Sequence, residues 1–283
     1  MSTLAEPTGK PAAWPDTYGD EAKERVGFFT DTSVCIGCKA CEVACKEWNL
    51  VPEDGMVWTG ESYDNTSELG ANSWRHVAFV EQNEPLHGGD GDGVDALRWL
   101  MSSDVCKHCT HAACVDVCPT GSLFRTEFGT VVVQEDICNG CGYCVPSCPF
   151  GVVDLNLDDG RAFKCTLCYD RQKDGLEPAC AKACPTDSIT FGDLDELREK
   201  ARRRVETLHT RGETSAYLYG VDEDTSVGDL NAFFLLTDRP SVYNLPEKPK
   251  LPQENVLPGF VASFVAATFL TIVTAFSFWQ RKQ

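Results

Sequence analysis

All sixteen cysteines of this 283-residue chain lie between Cys35 and Cys184, and they fall into four groups of four. The first group is Cys35, Cys38, Cys41 and Cys45; the second is Cys106, Cys109, Cys114 and Cys118. The third is Cys138, Cys141, Cys144 and Cys148, and the fourth is Cys165, Cys168, Cys180 and Cys184. Three groups end in Cys-Pro, at Pro119, Pro149 and Pro185, while Lys46 follows the first. A proline there removes a backbone donor and fixes φ, so the chain turns away just after the last cysteine.

Groups one and three have the C-x2-C-x2-C-x3-C spacing of bacterial ferredoxins. A compact loop holding three thiolates can wrap three corners of an iron–sulfur cube, but the trailing cysteine sits too far along to close the same cube and crosses to a neighbouring cluster. The sixteen cysteines are therefore expected to ligate four [4Fe–4S] clusters in cross-ligated pairs. A disulfide framework suits small secreted chains, and zinc ribbons need only two C-x2-C pairs, with no use for a third cysteine or the Cys-Pro. No C-x-x-C-H is present for covalent haem.

The net charge of −18 argues against nucleic acid as a partner. With four clusters at about −2 each, the loaded chain reaches the order of −26. Residues 1–26, rich in Pro, Gly, Ala and charge without periodicity, read as an N-terminal arm that orders against a partner or not at all. They hold no apolar export core and no paired arginines, and Arg202, Arg203 and Arg204 lie too deep to be an export signal.

The segment Phe28 to Val34 reads as a strand leading into the first cysteine loop. An insertion of 60 residues, Lys46 to Val105, follows, and residues 53 to 95 carry ten acids against a single Arg75. It is expected to be mostly solvated, with strands at Trp74 to Val80 and around Leu97 to Met101. The run His87 to Asp95 resembles part of a calcium loop but lacks the bidentate Glu, so a turn is expected there. Phe128 to Val133 reads as a turn and strand, and 19 residues separate Cys118 from Cys138, as in the two halves of a ferredoxin-like unit. Groups two and three then pair, leaving groups one and four to pair around them; spacing alone leaves adjacent pairing open. The fold class expected is α+β: two nested ferredoxin-like two-cluster units, a C-terminal extension and one C-terminal transmembrane helix. Residues 27–190 form the four-cluster domain, with the inner unit at about 104–150.

Residues 191–252 are expected to be a helix and an irregular linker. Asp193 caps that helix, Glu196 answers it, the stripe Leu194, Leu197, Ala201, Val205 and Leu208 packs, and Gly212 stops it. Ala232 to Leu236 reads as a possible strand. The last segment, 253–283, is expected to be a transmembrane anchor: Val256 to Trp279 gives 24 uncharged residues, a helix of roughly 36 Å, closed by Trp279, Arg281 and Lys282. Ser263, Ala267, Thr271 and Thr274 share one face, suited to close approach of another membrane helix.

The run Cys35-Ile-Gly-Cys-Lys-Ala-Cys-Glu-Val-Ala-Cys-Lys-Glu-Trp-Asn49 resembles the first cluster motif of the iron–sulfur (beta) subunit of membrane-bound respiratory formate dehydrogenases. So do Ser62-Tyr-Asp-Asn65, Cys138-Asn-Gly-Cys-Gly-Tyr-Cys-Val-Pro-Ser-Cys-Pro-Phe150 and Lys164-Cys-Thr-Leu-Cys-Tyr-Asp170. The resemblance implies a non-catalytic electron relay. Its partners would be a molybdopterin-containing catalytic alpha subunit, a membrane cytochrome b-type gamma subunit and the lipid bilayer, in a multimeric complex. It also implies ligand sets: Cys35, Cys38 and Cys41 with Cys184; Cys165, Cys168 and Cys180 with Cys45; Cys106, Cys109 and Cys114 with Cys148; and Cys138, Cys141 and Cys144 with Cys118. Similar four-cluster subunits serve other molybdopterin oxidoreductases and some hydrogenases, and a membrane-tethered zinc scaffold is the non-redox alternative. The motifs around Glu47-Trp48-Asn49 and Tyr63-Asp64-Asn65 favour formate.

Lys39, Lys46, Lys107 and Lys164 neighbour ligands and would raise the potentials of anionic clusters, unless they are ordinary surface lysines. His108 and His111 are expected to be polar surface near a partner, and Trp48 and Tyr143 to shield clusters from water. Arg281 and Lys282 favour a cytoplasmic C-terminus, weakly, because Lys248 and Lys250 precede the helix. The resemblance places the cluster domain on the extracytoplasmic side, exported with an alpha subunit that carries a twin-arginine signal.

Overall fold

The computed structural model describes residues 18–54, 58, 60, 63, 64, 66, 68–82, 98–221 and 225–280. The His87 to Asp95 turn, most of the arm, Ser62, Asn65, Arg281 and Lys282 lie outside the described residues. In chain order the first elements are β1 (Val26–Asp31), α1 (Ala40–Asn49), β2 (Arg75–Gln82), β3 (Arg98–Val105), α2 (Ala113–Asp116), β4 (Leu123–Arg125) and β5 (Val131–Val133). Then come α3 (Cys144–Ser147), β6 (Asp154–Leu155), β7 (Ala162–Phe163), α4 (Tyr169–Lys173) and α5 (Ala179–Lys182). The chain closes with β8 (Ile189–Asp193), α6 (Leu194–Thr210), β9 (Tyr217–Tyr219), β10 (Ala232–Leu236) and α7 (Val256–Gln280).

A four-stranded sheet of order β8-β1-β10-β9 ties the two ends of the cysteine-bearing chain together. β1 runs parallel to β10, pairing Phe28 with Ala232 and Asp31 with Leu235, and antiparallel to β8 on its other side. The pleat turns successive side chains of β1 to opposite faces. Phe28 joins a core lined by cysteines, and Phe29 joins a second core made by α6, β9 and β10. Phe29 stacks on Phe233 at 5.4 Å between ring centroids. Gly27 is needed where β1 meets the loop before β10, since a Cβ there would sit 1.9 Å from the Asn231 carbonyl oxygen.

The expectation of an irregular linker over 191–252 gives way at this sheet. Ala232 to Leu236 is a fully buried strand, joined by β9, and Leu230, Tyr243, Leu245 and Leu251 complete the second core. The run Ala-Phe-Phe-Leu-Leu is apolar on both sides because both faces of β10 are covered. α6 packs on β1, β8 and β9 through its apolar stripe, with Asp193 Oδ1 accepting from the Asp195 and Glu196 amides and Gly212 at φ +95° just past the end. The described end of the arm is also pinned to its own chain. Tyr18 donates to the Arg125 carbonyl, and Arg25 Nη2 donates to Thr110 Oγ1 and Asn231 Oδ1.

Three two-stranded ribbons, β2-β3, β4-β5 and β6-β7, support the cysteine loops. β3 is longer than the short element expected, pairing with β2 from Arg75–Val105 to Gln82–Arg98. Among the described residues, α7 belongs to the one helix long and apolar enough to cross a membrane, Pro252–Gln280, with mean hydropathy 2.1. The Thr271 and Thr274 hydroxyls bond back to the Ala267 and Leu270 carbonyls of their own helix.

Candidate metal centres

The first cysteine loop follows a turn in which Asp31 Oδ1 accepts from the Ser33 amide at 2.9 Å. Gly37 sits at φ +65°, where a Cβ would lie 2.6 Å from the Phe79 ring, so the loop can fold back only on glycine. α1 places Cys41 and Cys45 four residues apart on one buried face. Cys41 Sγ lies 3.3 Å from Ser103 Oγ on β3.

α1 packs against α5, which carries Cys180, and this contact brings group one to group four. Asn49 Nδ2 stands 3.7 Å from Cys45 Sγ and 3.8 Å from Cys168 Sγ, bridging the two groups. Leu167 and Cys168 both adopt positive φ, which turns the Leu167 amide onto Cys165 Sγ at 3.2 Å. Burial, and then the charges of Cys165 and Cys180, push the Cys45 thiol well above its ordinary value. Burial raises the Cys35 thiol as well, opposed by the Gly37 amide and reinforced by Cys41 and Cys184.

Groups two and three surround two cavities. One is lined by Cys106, Cys109, Cys114 and Cys148, the other by Cys118, Cys138, Cys141 and Cys144. Arg125 holds the second-group loop by donating to the carbonyls of Cys109 and Thr110 at 3.0 and 2.8 Å. The Ala162 amide points at Cys138 Sγ at 3.4 Å. Burial pushes the Cys114 thiol to about 12 and the Cys144 thiol to about 11. Burial would raise Cys118 too, but hydrogen bonds from the Leu123 amide and the Thr120 hydroxyl bring it below its ordinary value.

Thiols of different groups also act on one another electrostatically: Cys180 on Cys41, Cys106 on Cys165, and Cys144 on Cys114. These pairs link group one to group four, group four to group two, and group two to group three.

The donor set fits iron–sulfur clusters. All sixteen cysteines are free thiols, and burial makes deprotonation costly for ten of them, Cys45, Cys109, Cys114, Cys165 and Cys180 included, unless a cation takes the protons' place. Among the described residues no three His, Cys, Asp or Glu side chains close on one point as a single ion requires. The thiols of groups two and three stand around volumes instead, which suits a cube bound by one thiolate at each iron.

The four lysines divide. Lys39 pairs with Glu42 and Asp64 at 3.3 and 3.2 Å, and Lys46 with Asp54 at 2.8 Å and with the Pro52 and Asn72 carbonyls, so both serve the surface. Lys107 and Lys164 are buried. Lys107 bonds Asp104 and the Val105 carbonyl, and Lys164 bonds the carbonyls of Val131 and Cys165.

His108 is not surface but 1% exposed. Its Nδ1 accepts from the Val131 amide at 3.0 Å, and burial, with Lys164 and Arg125 nearby, holds it neutral, far below the usual imidazole value. Trp48 spans the surface between α1 and α4, its Nε1 donating to Asp170 Oδ2 at 2.8 Å and the Arg171 guanidinium 4.1 Å above its ring. Tyr143 is 61% exposed and shields little.

Sequence reasoning missed Arg75, which is buried near thiols of groups one and four. Its Nη1 donates to Ser103 Oγ at 3.0 Å and its guanidinium lies 4.8 Å over the Phe28 ring. Burial would lower its pKa, but the charges of Cys180, Cys41, Cys165 and Cys45 hold it above its ordinary value. The signal in the sequence was its solitude: one cation opening a strand inside an acidic insertion.

The sequence matches the 4Fe-4S dicluster domain family over residues 97–194, and a second family of the same description over residues 34–123. It is 39% identical over 241 residues to a formate dehydrogenase iron-sulfur subunit of Haemophilus influenzae, covering 84% of this chain and 73% of that protein. It is 38% identical over 271 residues to the formate dehydrogenase-O iron-sulfur subunit of Escherichia coli, covering 90% and 85%. The B subunit of the anaerobic dimethyl sulfoxide reductase of Escherichia coli is 39% identical over 175 residues, covering 62% and 76%.

Proposed function

We propose a place for this chain in a larger assembly from one premise: it belongs to the family of formate dehydrogenase iron–sulfur subunits. It is an electron-transfer subunit of an oxidoreductase, carries four [4Fe–4S] clusters and is not catalytic on its own. Bound clusters supply one-electron uptake and release at each centre. The chain's residues hold the thiols, exclude water and set the local charge.

In this reading a molybdopterin-containing alpha subunit oxidises formate and a cytochrome b-type gamma subunit in the membrane receives the electrons. The ligand sets are Cys35, Cys38, Cys41 and Cys184; Cys45, Cys165, Cys168 and Cys180; Cys106, Cys109, Cys114 and Cys148; and Cys118, Cys138, Cys141 and Cys144. The last two sets are the linings of the two cavities, and Asn49 between Cys45 and Cys168 supports the crossing in the outer pair. The arrangement is two nested ferredoxin-like units. α7 anchors the chain in the bilayer, with the cluster domain on the extracytoplasmic side and the C-terminus in the cytoplasm.

The observation that carries the relay is the succession of links between the groups, at Cys41 and Cys180, Cys165 and Cys106, and Cys114 and Cys144. Linked sites pass charge from one to the next, whereas scattered sites would store it. The test is purification with the products of the neighbouring genes, followed by anaerobic addition of formate. Roughly sixteen irons per chain and bleaching of the visible band by formate are expected. A preparation reduced by dithionite but never by formate overturns the formate assignment. The likeness to a dimethyl sulfoxide reductase subunit makes the same relay in another molybdopterin complex the second reading. Re-oxidation of the reduced complex by a sulfoxide would favour it.

A further inference from the structure

We propose that Arg75 is a positioning residue for electron transfer: its guanidinium, buried against thiols of both outer quartets, offers its two unpartnered donors to the sulfur of the bound clusters and holds both reduction potentials up. The inference rests on the outer ligand sets proposed above.

Arg75 is 2% exposed, at the start of β2, and a buried charge is costly unless something answers it. Among the described residues only its Nη1 finds a bond, to Ser103; Nε and Nη2 are buried with no partner. The charges that act on this cation are thiols of both outer sets: Cys41 from one, and Cys45, Cys165 and Cys180 from the other. Ser103 ties the two together, because its hydroxyl meets both Arg75 Nη1 and Cys41 Sγ. The ring of Phe28 closes the remaining side of the guanidinium. A planar fork with two free donors on one edge offers two parallel hydrogen bonds to a bound cluster, which a lysine ammonium does less well.

The sign follows from charge. A cluster with four thiolates is anionic, and one added electron makes it more so, so a fixed cation nearby favours the reduced state. The two buried lysines near the ligands are already engaged, Lys107 with Asp104 and a backbone carbonyl, Lys164 with the carbonyls of Val131 and Cys165.

The test is an EPR-monitored redox titration of the purified complex carrying Arg75→Met or Arg75→Lys, with iron counted in each. In Arg75→Met the reduction equilibrium of two centres is expected to shift at least tenfold, a fall of about 59 mV for a one-electron couple, while the other two stay put. Arg75→Lys should recover part of the fall. Four unchanged potentials, or one equal shift of all four, overturn the proposal. Where Arg75→Met does not load its iron, Arg75→Lys decides: a smaller fall confined to two centres sustains the proposal, and four unchanged potentials end it. Failure of the ligand sets is seen separately. Cys45→Ser and Cys165→Ser must alter the same EPR signal, and signals altered apart refute those sets whatever Arg75 does.

Discussion

The two inner quartets are assembled from neighbouring loops, whereas the outer region joins Asn49 to Cys168 across 119 residues through the contact of α1 with α5. Their polar surroundings differ as much as their connectivity. Beside the inner thiols stand a neutral His108 and Lys107, already bonded within the chain, and Lys164 sits at the seam, bonded to the Val131 and Cys165 carbonyls; beside the outer thiols stands a buried guanidinium with two donors unused. Similar thiol spacing therefore sits in unlike electrostatic settings. Cysteine pattern selects the cofactor, and the residues packed behind it set how readily each centre takes an electron.

The sharpest way to break this comparison is to remove a crossing ligand. Cys45→Ser should cost about four of roughly sixteen irons per chain and spare the inner centres, read by iron analysis and EPR. Loss of an inner signal instead would dissolve the division into outer and inner regions.

Next in size is the pair Phe28→Ala and Phe29→Ala, which empties one face of β1 at a time. Each should cost ~3–5 kcal/mol of stability by thermal unfolding. Only Phe28→Ala should also move the outer potentials, because its ring covers Arg75 while Phe29 stacks on Phe233. A smaller effect is expected from Asp193→Ala, which removes the cap of α6. It should lower stability by ~1 kcal/mol and leave every potential unchanged. Least of all, Lys46→Gln should change no potential. Lys46 follows a ligand directly in sequence, yet it is partly solvated and bonded to Asp54 and two carbonyls. A shift there as large as that of Arg75→Met would mean that proximity along the chain outweighs burial.

Local chemistry was the legible part of this sequence. The thiol groups, the Asp193 cap with its apolar stripe, and the uncharged run of α7 each declare themselves within a few turns of chain. What stayed hidden depends on distant pairing. Ala232 to Leu236 looked like a strand, but its place beside β1 is set by a partner about two hundred residues earlier, which no periodicity encodes. His108 looked like surface because it is polar and lies between ligands; its burial follows from β5 folding over it and giving it the Val131 amide. Arg75 looked like a lone surface cation, and only the pairing of β2 with β3 turns it toward the thiols.

The central sheet also sets the order of events at the ribosome. β1 emerges early, yet the Asp31 carbonyl waits for the hydroxyl of Ser188, 157 residues later, and the opposite edge waits longer still for β10. At ordinary rates of synthesis that is a delay of roughly ten to thirty seconds. During it the first four cysteines hang on an unpaired strand while the middle eight already have their local scaffolds. Iron delivery to a nascent chain would therefore fill the two centres of the middle eight cysteines first, at one end of the wire, and complete the other two only after Cys184 has emerged.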